Sequence, residues 1–346
     1  MGLLQLTGMK VGLDISQIAH GGGVATYTSK LAGLLAEDQN LETVFFYSSL
    51  RKPYVGSLPN VKSFKLPPSL LEILFNRLRV ISIENFIGQI DIFHSSDWTQ
   101  PKTRARKITT YHDVVPLKYP QWSHPKIVEV HKKRLEIVEK EIDCVIAVSE
   151  STKRDLIEVS GIPAEKIVVI FEAAGDQFKL YPEKDVEEFR KKYNLPDEFV
   201  LSIGGIGERR NLTRIKQAAQ NYNLIITGET IPRLPDEEMP MLYNAAKVLM
   251  YPSFYEGFGL PILEAMSCGV PVITSNISAM PEVGGEAVLY ANPEDEKDIA
   301  DKLRLVMEDK KIRKDMIDKG FLQAKKFSWE KCAKETLEVY RRVIQE

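Results

Sequence analysis

Residues 246–275, "AKVLMYPSFYEGFGLPILEAMSCGVPVITS", hold an apolar run, a glycine-bearing turn, a helical stretch and a second apolar run. Two short, almost wholly apolar runs joined through one helix read as a parallel βαβ unit whose strands are covered on both faces. Pro261 suits the first position of that helix, and Leu263, Ala265 and Met266 continue it, so Glu264 falls in the first turn. The "EGFG" turn then aims backbone N–H groups and a helix N-terminus at whatever lies beyond the strand ends, an anion-binding arrangement. Glu256 and Glu264 flank it. Carboxylates repel phosphate, so their partners in a bound ligand would be neutral hydroxyls, as on a sugar or ribose. Taken alone, a glutamate in a first helical turn is equally explained by the helix dipole, and an E-x7-E spacing is common by chance.

The alternation extends outward in both directions. Upstream, "MKVGLDIS", "TVFFYSS", "IDIFHSS", "KITTYHDVV", "DCVIAVS" and "KIVVIF" read as strands, with helices over 24–36, 126–141 and 151–159. A second series runs through "EFVLSIGG", "NLIITG", "AKVLMYPS", "VPVITS" and "AVLYAN", with an amphipathic helix over 294–308. The charge-rich link "EAAGDQFKLYPEKDVEEFRKKYNLPDEF" has no strand pattern and divides the two. The expectation is an α/β protein of two Rossmann-like parallel-sheet domains, 1–172 and 173–327, with a C-terminal helix over 328–346 crossing back to the first. Open parallel sheets bind ligands beyond their carboxyl ends, so two facing sheets would form an interdomain cleft.

Composition narrows the function classes. With 346 residues, 44% hydrophobic and 27% charged, the chain is long enough for two cores, and its net charge of -2 gives no overall attraction to nucleic acid or acidic membrane. Cys144, Cys268 and Cys332 are odd in number, far apart and without zinc spacing, which suits a reducing cytoplasm. Neither a membrane-crossing run nor a signal-peptide pattern is legible.

Several segments together resemble the retaining glycosyltransferases of GT-B fold, glycosyltransferase family four. "GGGVATYTSKL" is similar to the family's N-terminal glycine loop, "YHDVVPLKYP" to its HD segment, and "VIAVSESTKRDL" to the close of its first domain. "LSIGGIGERRNL" resembles its phosphate-binding turn, and "PSFYEGFGLPILEAMSCGVPVITS" its E-x7-E signature. The resemblance covers nearly the whole chain and implies a hexosyltransferase using a nucleotide-diphosphate sugar, with no cofactor, the 1–172 domain binding the acceptor and the 173–327 domain the nucleotide sugar. Arg209 and Arg210, with Gly205 in the same turn, would hold the donor diphosphate. Two guanidiniums there stabilise the charge that grows on the β-phosphate, whereas a purely structural basic pair would oppose the dipole of the helix that follows. Glu264 would bind the ribose; Glu256 would sit at the sugar with the amides of Gly257, Phe258, Gly259 and Leu260. Gly21, Gly22 and Gly23 would let backbone approach the diphosphate. His112, at a strand end, would contact the transferred sugar, while Asp113 buttresses its loop and His20, His94, His124 and His131 read as structural. The resemblance also implies a front-face route in which the departing phosphate oxygen takes the acceptor's proton. No D-x-D or carboxylate pair reads as a metal site, so the basic residues would stand in for a metal.

Three departures matter. After "NLIITG" about one βα unit is short, and that unit normally contacts the nucleotide base. "FEAAGDQF" replaces the usual "NG" and looks like some mannosyltransferases, so the lean is to GDP-mannose. In "LPPSLLEILFNRLRVISIENFIG", Leu70, Leu71, Leu74, Leu78 and Ile81 share a helical face beside Arg77 and Arg79. That face packs on its own domain or rests on the inner face of a membrane carrying a lipid-linked acceptor. The resemblance implies a saccharide or lipid-linked acceptor, and no nucleic-acid partner is expected. A non-catalytic nucleotide-sugar-binding subunit is the alternative; a dinucleotide oxidoreductase is opposed by the missing G-x-G-x-x-G.

Overall fold

A computed structural model describes residues 8–204 and 207–346, and its strands form two wholly parallel sheets. In the first, β1 (Met9–Asp14), β2 (Leu41–Ser48), β3 (Val61–Phe64), β4 (Ile92–Ser95), β5 (Arg106–Tyr111), β6 (Cys144–Ala147) and β7 (Ile167–Val169) lie in the order β3-β2-β1-β4-β5-β6-β7. Val11 on β1 stands between Thr43 on β2 and Ile92 on β4. The second comprises β8 (Val200–Ser202), β9 (Leu224–Ile226), β10 (Val248–Tyr251), β11 (Val272–Ser275) and β12 (Leu289–Ala291), ordered β12-β11-β10-β8-β9. β4, β6, β10 and β11 are buried along their whole length, as strands covered by helices on both faces must be. β3 escaped the sequence reading because "VKSF" is an edge strand, half-buried at its ends and exposed between them, with no apolar run to announce it.

One compact unit takes in the chain up to Phe171 together with Trp329–Glu346; the other is Glu172–Ser328. In the first, Phe46, Phe75, Phe93 and Ile87 join one apolar cluster. The helix Trp329–Gln345 belongs to this unit because Trp329, Cys332, Ala333, Thr336, Val339, Tyr340 and Val343 form a buried stripe of helical period. In the second, Ile299, Leu303 and Val306 of the helix Glu296–Glu308 pack on Val200, Val248 and Ile273. Between β9 and β10 the chain supplies the helix Met239–Ala245 and an isolated bridge, Thr227 to Ile231, but no further strand.

The 66–88 segment departs from the single helical face expected of it. The helix Pro68–Glu72 widens into a π-helix over Ile73–Leu78. Leu71 is buried, whereas Leu70 and Leu78 are exposed with Ile73 and Val80. Buried Asn76 gives the reason: it donates to Trp98 O at 3.0 Å and accepts from Gln100 N at 2.8 Å. The wider turn brings this amide inward to satisfy a loop that would otherwise hold unpaired backbone groups. Among the described residues no helix is long and apolar enough to cross a membrane.

Candidate active site

Parallel sheets open a binding crevice where successive connections leave toward opposite sides. In the second sheet that point lies between β8 and β10. The exit from β8 carries Arg209 and Arg210, and the exit from β10 carries Glu256. Asn211, buried and left-handed at φ 59°, ties these exits together by donating to Pro252 O at 3.0 Å and Pro293 O at 2.7 Å.

Both guanidiniums converge on Glu256, which is 5% exposed. Arg209 Nη1 donates to Oε2 at 3.0 Å and to Tyr255 O at 3.2 Å. Arg210 Nη1 lies 2.6 Å from Oε1 as an ion pair without hydrogen-bond alignment, so that oxygen still lacks a hydrogen-bond donor. The Arg210 guanidinium also stands 4.9 Å over the Tyr251 ring and donates to its hydroxyl. Gly204 makes room for it: a Cβ there would lie 2.9 Å from Arg210 Nε. Two cations against one carboxylate leave local positive charge facing the strand ends, the sign a diphosphate needs. Glu256 is therefore the clamp of the arginine pair as well as a candidate acceptor of sugar hydroxyls.

The helix that follows is Leu260–Ser267, capped by Gly259 at φ 112°, with Pro261 at its second position. Gly257, Phe258, Gly259 and Leu260 are buried, and the Phe258 ring meets Phe327 edge-on at 6.0 Å, fixing the loop. Glu264, one turn on, accepts from Tyr243 Oη at 2.6 Å. Burial pushes its carboxyl pKa up to about 7; the Tyr243 bond opposes this and Asp236 adds to it. Gly205 lies outside the described residues.

In the first unit the corresponding divergence lies between β1 and β4. Gly21 (φ 73°, ψ 179°) and Gly22 (φ 80°, ψ -173°) hold conformations open only to glycine, and Gly23 begins the helix Gly23–Glu37. No atom lies within 4 Å of where a Cβ would stand on Gly21 or Gly22, so both present open backbone. His112 follows β5, partly exposed, its ring edge-on to Tyr27 at 4.7 Å. Asp113 accepts from Val115 N at 2.9 Å. Behind them His94 bridges Tyr340 Oη (2.7 Å) and Thr110 Oγ1 (2.9 Å), its pKa held down to about 3 by burial and by His112. Among the described residues no group of three or more His, Cys, Asp or Glu is placed to hold a metal ion.

Sequence reasoning missed Tyr243, Tyr251 and Asn211, whose roles rest on contacts distant in sequence. It also missed Asp14 and Trp98, which line a cavity of about 280 Å³ in the first unit. Their signal was positional: Asp14 ends β1 and Trp98 stands three residues past the end of β4.

The description "Glycosyltransferase Family 4" matches residues 21–172, and "Glycosyl transferases group 1" matches 153–323. The chain is 33% identical to O-antigen chain mannosyltransferase B of Escherichia coli, over 92% of this chain and 96% of that one. It is 26% identical to O-antigen chain mannosyltransferase RfbU of Salmonella typhimurium, over 82% and 87%. Sucrose-phosphate synthase from Thermosynechococcus elongatus shares the fold at a TM-score of 0.78, 20% identity and 97% and 99% coverage.

Proposed function

The chain belongs to glycosyltransferase family four and is an enzyme of GT-B fold, and on that premise we propose that it transfers mannose from GDP-mannose, with retention of configuration, to a saccharide of the O-antigen type. The names of its relatives support the sugar and the acceptor class. Arg209 and Arg210 stabilise the leaving diphosphate, Glu264 accepts from the ribose, and Glu256 with the amides of Gly257 to Leu260 holds the sugar. Gly21 to Gly23 admit backbone to the phosphates, and His112 contacts the transferred ring. As the bond from the anomeric carbon to the phosphate oxygen breaks, that oxygen takes the acceptor hydroxyl's proton and the acceptor oxygen bonds the same face. Protein groups then need only position and stabilise charge.

The observation that carries this reading is the convergence of Arg209 and Arg210 on buried Glu256 where the second sheet's connections diverge. The test incubates the purified chain with GDP-, UDP- and ADP-sugars and a mannose-terminated oligosaccharide, reading the product anomer by NMR. An α-linked product from GDP-mannose, formed also in EDTA, is expected, and Arg209→Ala or Arg210→Ala should lower kcat about 10²–10³-fold. A β-linked product refutes retention, preference for another nucleotide refutes the donor, and unchanged turnover in both arginine variants refutes their role.

A further inference from the structure

A chain of buried polar groups in the first unit runs from the C-terminal helix to His112. Tyr340 Oη, on the helix Trp329–Gln345, meets His94 Nδ1 at 2.7 Å. His94 Nε2 meets Thr110 Oγ1 at 2.9 Å, and that hydroxyl meets Tyr27 Oη at 3.0 Å. All four side chains are buried. The Tyr27 ring then stands edge-on to His112 at 4.7 Å, with Trp329 edge-on to it at 6.1 Å. Tyr27 lies early in the helix Gly23–Glu37, so the chain ties the C-terminal helix both to the glycine loop and to His112.

Burial, with His112 adding to it, keeps His94 neutral, so its ring carries one proton on one nitrogen. Three hydrogen bonds in series can then run in only two senses. If Nδ1 held the proton, Tyr340 Oη would accept it. The phenol's own proton, held on by burial, would be left unpaired, since Tyr340 Oη has no second partner among the described residues. An unpaired buried donor costs more than one hydrogen bond gains. In the other sense Tyr340 donates to Nδ1, Nε2–H donates to Thr110, and Thr110 donates to Tyr27, which leaves that end satisfied. Tyr27, Thr110 and His94 also border, with His112, a space of about 20 Å³, room for about one water and too little for a sugar ring. On the opposite face of β5, Arg134 donates to Thr110 O at 2.9 Å and lies 3.8 Å over the Tyr111 ring. The strand end is thereby pinned, and what the chain orients is its side chains.

We propose that Tyr340 is a positioning residue for His112: its hydroxyl fixes His94 as the Nε2–H tautomer and, through Thr110, orients the Tyr27 side chain against which the His112 ring stands. The proposal rests on the reading of His112 as a group that touches the transferred sugar, so its test reads the imidazoles as well as turnover. In the full chain labelled with nitrogen-15 at histidine, long-range proton–nitrogen NMR spectra should show His94, assigned by its loss in His94→Gln, as Nε2–H. Tyr340→Phe leaves either tautomer with one unpaired nitrogen, so both should be populated and the His112 resonances should move. The same variant should lower kcat for transfer from GDP-mannose to a mannose-terminated oligosaccharide about tenfold, within the roughly hundredfold that a misplacement of about 1 Å costs. The donor KM should stay unchanged, the split expected when a reacting-state contact is lost and ground-state binding is not. Thermal melts confirm the fold. An Nδ1–H His94 in the wild-type chain overturns the proposal, whether or not the variant folds. So do unmoved His112 resonances in folded Tyr340→Phe, or unaltered kcat in that variant where His112→Ala lowers it. Unaltered kcat in His112→Ala, or no mannosyl transfer at all, with the tautomer and the His112 shift as expected, would instead overturn the proposed function and leave the coupling from Tyr340 to His112 standing.

Discussion

At Glu264 one carboxyl group is both buried and proposed to meet a ligand. Its folded pKa of about 7 lies above the 4.5 of a free glutamate, so between these values the folded chain binds more protons than the unfolded one. The resulting stability is fully present below about pH 4.5 and is lost as pH rises through 7, to an upper bound of roughly 3 kcal/mol, less what its exposed edge screens. Glu264→Gln, which still accepts from Tyr243, should therefore raise stability to urea at pH 8 and leave it nearly unchanged at pH 5; an equal gain at both would remove the assignment. Accepting ribose hydroxyls favours the ionised form, so donor binding near pH 7 should release a proton, detectable by calorimetry in buffers of different ionisation enthalpy. The E-x7-E spacing made Glu264 legible in the sequence. Tyr243, 21 residues away and the reason its carboxyl has a partner, was not.

Among the elements, the strand exits carry the proposed site, and two glycines there separate backbone strain from contact. Gly22 occupies a region closed to side chains but faces open space. Gly22→Ala should cost about 1–3 kcal/mol from backbone strain, read from urea unfolding; a smaller loss would mean the turn relaxes freely. Gly204, at φ 127°, leaves the space Arg210 occupies, its Nε 2.9 Å from where a Cβ would stand. Gly204→Ala should displace that guanidinium and lower kcat about tenfold or more beyond any stability loss; unaltered kcat would show that Arg210 can move without consequence. The π-helical turn at Ile73–Leu78 gives a third case: Asn76→Ala leaves the Trp98 carbonyl and the Gln100 amide unpaired, at about 1–3 kcal/mol. Helical periodicity could not foresee that turn, because Asn76 faces inward to serve a loop more than twenty residues downstream.

At the scale of the whole molecule, the two units differ in how the chain builds them. Glu172–Ser328 is one continuous segment, whereas the first unit needs Trp329–Glu346 to complete it. That terminal helix buries Trp329 against Tyr27 at 6.1 Å and Tyr340 against His94, beneath the strand that leads to His112. A fragment of residues 172–328 should therefore unfold cooperatively on its own, while deletion of 329–346 from the full chain should abolish the first unit's transition in calorimetry. Survival of both transitions in the truncated chain would show that the helix adds little to that unit.

The sequence by itself determined the parallel strands, because strands covered on both faces must be apolar throughout. It also determined the family and the positions of Arg209, Arg210, Glu256 and Glu264, because these stand in contiguous motifs. Only the tertiary structure decided that Glu256 clamps both arginines, that Tyr243 meets Glu264, and that Asp14 and Trp98 enclose one cavity. Each of these depends on which strand exits lie side by side, and strand order in a parallel sheet is set by the packing of crossover connections, which leaves no periodic trace along the chain.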